Sequence, residues 1–249
     1  MKELQYINHR WGFIRETENM AIKLGVDVIT GLPYTPLSQY LDEAIFPELR
    51  GRWEANKCPP FVREAFAQNR SDTDDSKGIV KRIRPDYFYE EEKIIIEFYG
   101  VGHYKSTAKT EGLYATSGKI SRMDYDEERE TFFREKGYTL YVVPYFIQLT
   151  KESVKNIFNI SCSEDLFPNE VPSFRVSSGN TPGFLPEKGL KKMVKEFQKY
   201  APSQYEPNLN YLKEYDKLLE KRFPQNADIY KELITGTERF EKAWNELKS

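Results

Sequence analysis

The stretch 84–105, RPDYFYEEEKIIIEFYGVGHYK, constrains the fold more than any other part of the chain. Two runs of strand formers, Tyr87-Phe88-Tyr89 and Ile94-Ile95-Ile96, are separated by Glu90, Glu91 and Glu92, which reads as a β-hairpin with a solvated tip. With Glu91-Glu92 as the loop, Glu90 pairs with Lys93 and Asp86 falls opposite Glu97. Side chains alternate between the two faces of a sheet, so a slip of one residue would separate the two carboxylates. The tip carries no Asn-Gly or Asp-Gly signal, so this register is an expectation set by counting.

Facing carboxylates require a physical reason. Two like charges ~4 Å apart at an effective dielectric of ~20 repel by roughly 4 kcal/mol. A proton or a cation has to sit between them. Two hard oxygen donors with water in the remaining positions suit a magnesium ion, held by Asp86 and Glu97. The alternative is a Glu97 that points to solvent from an edge strand. The three isoleucines before it favour a buried strand, where a Glu without a partner is unusual.

The rest of the chain reads around this hairpin. In 1–60, Glu16 opens a short helix ended by Gly25; a second follows Thr35-Pro36, with Leu37, Leu41 and Ile45 on one face and Pro47 at its end. Arg50, Arg52 and Trp53 form a basic-aromatic group that suits either a nucleic-acid backbone or a loop capping the core with Trp53 tucked in. A short helix is expected over 61–70 and a polar, acidic loop over 71–76. Lys77, Lys81, Arg82 and Arg84 alternate around Ile79 and Ile83, as in a strand with one cationic face. Such a face either holds a polyanion next to the carboxylates or balances Glu90, Glu91 and Glu92. After His103, residues 104–118 read as a polar, glycine-bearing loop over the site, with Lys105 at its start.

A helix is expected over 121–136, with Ser121 and Asp124 as a capping pair, Gly137 as its stop, and Tyr125, Phe132 and Phe133 on its apolar face. Asp126 and Arg129 are three apart and share a face, which on spacing alone is an ordinary surface ion pair. A strand over 138–143, ended by Pro144, and a short helix over 153–158 follow. The order strand, strand, helix, strand, helix indicates an α/β core. Residues 161–186 are rich in Ser, Pro, Asn and Gly and read as a linker or arm. Three helical patterns close the chain: Leu190, Met193, Val194 and Phe197; Leu209, Leu212 and Leu219; Ile229, Leu233, Phe240 and Trp244. The first carries Lys188, Lys191, Lys192, Lys195 and Lys199 on its other face, either solvated or laid along a DNA backbone.

The expected organisation is a helical N-terminal region (1–60), a small mixed β-sheet core flanked by helices (61–160), the linker or arm (161–186) and a helical C-terminal region (187–249). With 249 residues the chain is long enough for a sizeable core. Its net charge of −2 excludes few partners, because basic residues can be concentrated locally. Cys58 and Cys162 show no disulfide-framework spacing, and no apolar run approaches the ~20 residues of a membrane span. Together with the lack of a signal-peptide pattern, these features predict a reduced, cytoplasmic setting and no membrane partner. Only His9 and His103 are histidines, which leaves no Cys/His zinc cluster.

At Arg84-Pro85-Asp86-Tyr87, Ile95-Ile96-Glu97, Gly100-Val101-Gly102-His103, Asp126-Glu127-Glu128-Arg129 and Gly137-Tyr138 the chain resembles the PD-(D/E)xK nuclease superfamily. The similarity is to its branch containing the very short patch repair endonuclease and the EDxHD homing endonucleases, and it spans about residues 64–158. It implies a metal-dependent endonuclease that cuts double-stranded DNA, with magnesium as cofactor; within that class the extra helical regions at both ends suggest sequence-specific recognition, of restriction or homing type. Asp86 and Glu97 would be the metal ligands, with Glu64 on the preceding helix assisting through water. His103 would act as general base, and Asp126 would set its tautomer or complete the metal shell. Arg82, Arg84, Lys105 and Arg129 would contact phosphate. The superfamily's usual Glu-x-Lys places Tyr99 where a lysine is expected, so His103 or Lys105 would have to supply that function. A second class of function fits the departure at Tyr99, a non-catalytic DNA-binding module that retains the nuclease fold.

Overall fold

The computed structural model describes residues 11–16, 33–60, 83–105, 122–167, 182–222, 224–226 and 236–248. The N-terminal part contains strands where helix and irregular chain were expected. β1 (Phe13–Arg15) and β2 (Tyr34–Pro36) pair in parallel, Phe13 opposite Tyr34. Each is three residues long and their pairing is non-local, so no period-two pattern announces them. α1 (Leu37–Tyr40) continues as a π-helical stretch, Leu41–Ile45, which closes with Phe46 N–H donating to Leu41 O at 2.8 Å. Leu37, Leu41 and Ile45 form the expected buried face. Pro47 does end this helix, and it also opens a short 3-10 turn, Pro47–Leu49. The proposed helices beginning at Glu16 and spanning 61–70 lie outside the described residues, apart from Glu16 itself.

The main sheet has the order β3-β4-β5-β6, formed by β3 (Glu54–Ala55), β4 (Tyr87–Tyr89), β5 (Ile94–Tyr99) and β6 (Thr139–Pro144). The first three strands are antiparallel and β6 runs parallel to β5, which makes the sheet mixed, as expected for this α/β fold. The hairpin register is the one counted from the sequence. Tyr87 faces Ile96, Phe88 faces Ile95 and Tyr89 faces Ile94, and Lys93 N–H donates to Glu90 O at 3.3 Å. Lys93 takes a φ of 54°, which lets the four-residue tip close without glycine. Arg52 pairs with both Glu91 and Glu92 at the tip, and Trp53 packs edge-on against Tyr87 while donating to Asp42 Oδ1 at 2.9 Å. The Arg52-Trp53 group therefore caps the hairpin.

α2 (Gly102–Lys105) is a single turn directly after β5. α3 (Arg122–Glu135) is the crossover from β5 to β6, ended by Gly137 at a φ of 78°. Its buried stripe differs from the expected one. Met123, Asp126, Arg129 and Phe133 are buried, whereas Tyr125 and Phe132 are only half-buried. The stripe follows helical spacing but carries two charges, because the helix lies over Glu97 on β5. α4 (Lys151–Phe158) begins at a capping box between Thr150 and Ser153 and ends at Asn159 in the left-handed conformation.

The C-terminal helices are α5 (Glu187–Tyr200), α6 (Tyr205–Arg222) and α7 (Thr237–Leu247). Leu190, Met193, Val194, Phe197, Leu209, Leu212, Phe240 and Trp244 are buried as expected; Ile229 and Leu233 lie outside the described residues. The stretch expected as a linker or arm is packed in its described parts, where Leu166, Phe167 and Leu185 are buried. One aromatic-rich cluster runs from Trp11 and Tyr40 through Tyr87, Ile96 and Phe146 to Phe197 and Trp244. A smaller cluster of Ile83, Phe88, Ile95, Phe133 and Tyr138 fills the opposite face of the sheet, under α3. Among the described residues no helix is long and apolar enough to cross a membrane.

Candidate functional site

β5 and the residue just before β4 bring two carboxylates to one face of the sheet. Extending the observed register by one pair sets Asp86 opposite Glu97, and both share the face of Phe88 and Ile95. Asp86 accepts a hydrogen bond from Phe98 N–H at Oδ2, 2.7 Å away, which fixes its side chain against β5. Glu97 is 3 % exposed. A carboxylate at that depth needs a positive partner, and Arg129 Nη2 stands 3.2 Å from Glu97 Oε2.

α3 supplies the second half of the site. Asp126, 1 % exposed, lies one helical turn before Arg129, and the two are 3.8 Å apart. Asp126 Oδ2 is 2.7 Å from Nδ1 of His103, which sits in the α2 turn after Gly100-Val101-Gly102. The His103 ring stacks on Tyr99, with centroids 4.2 Å apart and planes 8° from parallel. Tyr99 donates its hydroxyl proton to Glu130 Oε1 at 2.9 Å. Glu97, Arg129, Asp126 and His103, from β5, α3 and α2, thus form one chain of polar contacts, and Asp86 adjoins it through the backbone of Phe98.

The electrostatics follow from burial. For Arg129, burial alone would favour the neutral form, but Glu97, together with Tyr99 and Asp126, outweighs it and holds the guanidinium well above its ordinary pKa. Tyr99 is held well above the ordinary tyrosine range, first by burial and then by the Asp126 carboxylate, so it stays a neutral donor. Lys105, half-buried at the end of α2, is pulled down by burial.

α5 closes the site from a direction the sequence did not signal. Lys192 Nζ is 3.8 Å from Asp126 Oδ2 and lies over the rings of Tyr99 and Tyr104, at 4.6 and 5.2 Å. One turn on, Glu196 accepts a hydrogen bond from the Tyr104 hydroxyl. Burial pushes Glu196 up to about 7, against the lowering effect of Lys192 and of the Tyr104 bond. Lys188 pairs with Asp124 at the start of α3. The lysine face of α5 is therefore turned partly towards α3, through Lys188 and Lys192; Lys191 pairs with Glu187 on its own helix, Lys195 is exposed and Lys199 covers the Tyr200 ring.

Of the candidate residues, Asp86, Glu97, His103, Asp126 and Arg129 are brought together. Arg129 faces Glu97 and not the surface, and Arg84 is exposed two residues before Asp86. Glu64 and Arg82 lie outside the described residues. Lys192 and Glu196 were missed as site residues. Their helical spacing was legible, but nothing in it shows which helix they face.

The donor set suits a hydrated magnesium ion. Asp86 and Glu97 offer hard oxygens from adjacent strands, and such an ion keeps most of its shell as water. Arg129 already balances Glu97, so an ion there would share this carboxylate with the guanidinium. Among the described residues no group of three or more His, Cys, Asp or Glu side chains gathers as a metal cage. Comparison with protein-family models, with curated proteins and with solved structures gives no match.

Proposed function

We propose that this protein is a magnesium-dependent, sequence-specific DNA endonuclease of restriction or homing type. The observation that carries the reading is the buried His103–Asp126 pair, 2.7 Å apart, on the sheet face where Asp86 stands opposite Glu97. A general base with an orienting carboxylate, beside two hard-oxygen donors, is an arrangement suited to hydrolysing a phosphodiester.

Asp86 and Glu97 are the residues that would hold the ion; when bound, it supplies polarisation of the phosphate and a more acidic water. Asp126 accepts the Nδ1 proton of His103, which places the imidazole's lone pair on Nε2. Nε2 then takes a proton from the attacking water as its oxygen bonds to phosphorus and one bridging oxygen departs with its electron pair. Asp126 stabilises the imidazolium so formed. Arg129 holds Glu97 in place, and Arg84, two residues before Asp86, and Lys105, two residues after His103, are assigned to phosphate contact.

The test is cleavage of supercoiled and varied-sequence DNA with magnesium, with Asp86→Ala and His103→Ala alongside. Wild type should yield discrete fragments, and each variant should cut at least about a hundredfold more slowly. Cleavage that survives Asp86→Ala overturns the site assignment. The burial of both Glu97 and His103 favours a second reading, a DNA-binding module without catalysis. Intact DNA under every metal, with binding retained, would select it.

A further inference from the structure

Lys192 occupies an unusual place for a helix-surface lysine. Its ammonium approaches Asp126 Oδ2, the same oxygen that faces His103 Nδ1, at 3.8 Å. That separation is beyond a hydrogen bond. Among the described residues the ammonium donates no hydrogen bond; it is held over the faces of Tyr99 and Tyr104, which attract a cation without using its N–H donors. The side chain remains 22 % exposed, so solvent, or an anion, can reach it. Arg129, a second cation beside Asp126, is buried against Glu97. Lys188 and Lys191 on the same helix are paired with Asp124 and Glu187.

The position is also held firmly. Gly189, one turn before Lys192, lies so close to α2 that an added Cβ would come within 1.8 Å of Tyr104 O. Glu196, one turn after it, is bonded to the Tyr104 hydroxyl. Both contacts seat α5 on the turn that carries His103.

We propose that Lys192 is a substrate-contacting residue of this site, supplying from the C-terminal region the cation that meets a DNA phosphate beside the His103–Asp126 pair. This rests on the DNA reading above. Positive charge at that point would stabilise the negative charge that grows on the phosphate oxygens as water attacks. The C-terminal helices are then part of the active site as well as of the fold.

The test compares wild type with Lys192→Met, Lys192→Arg and, as a control on an exposed lysine, Lys242→Met. Binding to a short DNA duplex is measured in EDTA across a salt series, and single-turnover cleavage of supercoiled DNA is measured with magnesium. Lys192→Met should reduce the slope of log affinity against log salt by about 1, the loss of one phosphate contact. It should also slow cleavage by about a hundredfold. Lys192→Arg should keep the slope and lose less than about tenfold in rate. Lys242→Met should change neither. Wild-type cleavage with an unchanged Lys192→Met overturns the role of Lys192 and leaves the nuclease reading standing. Wild-type binding without cleavage, with the slope reduced in Lys192→Met, overturns catalysis and supports the contact. No binding by wild type overturns both.

Discussion

Arg129 is the residue on which the buried charges of the site depend. Glu97 and Asp126 are both nearly inaccessible, and Arg129 lies 3.2 Å from the first and 3.8 Å from the second. Replacing Arg129 with Met retains most of the apolar stem and removes the charge. It leaves Glu97 buried without its counter-ion, at an expected cost of about 3–5 kcal/mol. Adding Glu97→Gln should recover most of that loss, because a neutral amide needs no cation. Urea denaturation of the two single variants and the double variant at neutral pH measures the coupling; additive losses would show that the two side chains do not depend on each other. The pairing was half legible in the sequence. Counting back from the hairpin tip gave Asp86 opposite Glu97, because a period of two leaves no freedom once the loop is chosen. The spacing of Asp126 and Arg129 gave only a shared helix face, and that face reads equally well as a solvated one. Burial of a charged pair is decided by what lies across from it, and no local pattern carries that information.

At the scale of elements, the hairpin, the crossover helix and β6 follow from strand propensity, helical spacing and a glycine stop. The misread face of α3 has a physical cause. Tyr125, Phe132 and Phe133 suggested an apolar stripe, yet the helix turns Asp126 and Arg129 inward because β5 presents Glu97 to it. The packing of α5 on α2 was also out of reach, since Gly189 in a lysine-rich helix looks like a weak position rather than a contact. Gly189→Ala separates these two interpretations by sign. Helix propensity alone favours Ala by about 1 kcal/mol. The new Cβ, however, would come within 1.8 Å of Tyr104 O and 2.8 Å of its carbonyl carbon. A backbone shift to relieve such overlap costs about 1–3 kcal/mol. The variant is therefore expected to be less stable than wild type in urea, and to cut DNA more slowly because Lys192 moves with α5. A stabilised variant would mean that α5 does not press on α2.

For the molecule as a whole, the question is whether the C-terminal helices are an appendage or part of the core. Composition suggested a break over 161–186, with a separate helical region after it. The packing runs across that break. Phe197 on α5 meets Phe146, which follows β6, with ring centroids 4.8 Å apart, and Gln204 exchanges hydrogen bonds with the backbone of Gln148 at 2.9 and 2.8 Å. Leu190, Met193, Val194 and Phe197 are fully or almost fully buried. Burying side chains of this kind contributes about 1.5–3 kcal/mol each, so these four together account for roughly 6–12 kcal/mol. That is comparable to the ~5–15 kcal/mol by which a whole domain is stable. Truncation after Phe167 would strip this layer and expose Tyr104, Tyr145 and Phe146, which interlock edge to face. The truncated chain should therefore show no cooperative thermal transition by circular dichroism, whereas the full chain should unfold in a single one. A fragment that melted cooperatively would restore the C-terminal helices to a separate unit. Lys192 would then reach the His103–Asp126 pair across a docked interface and not from within a single core.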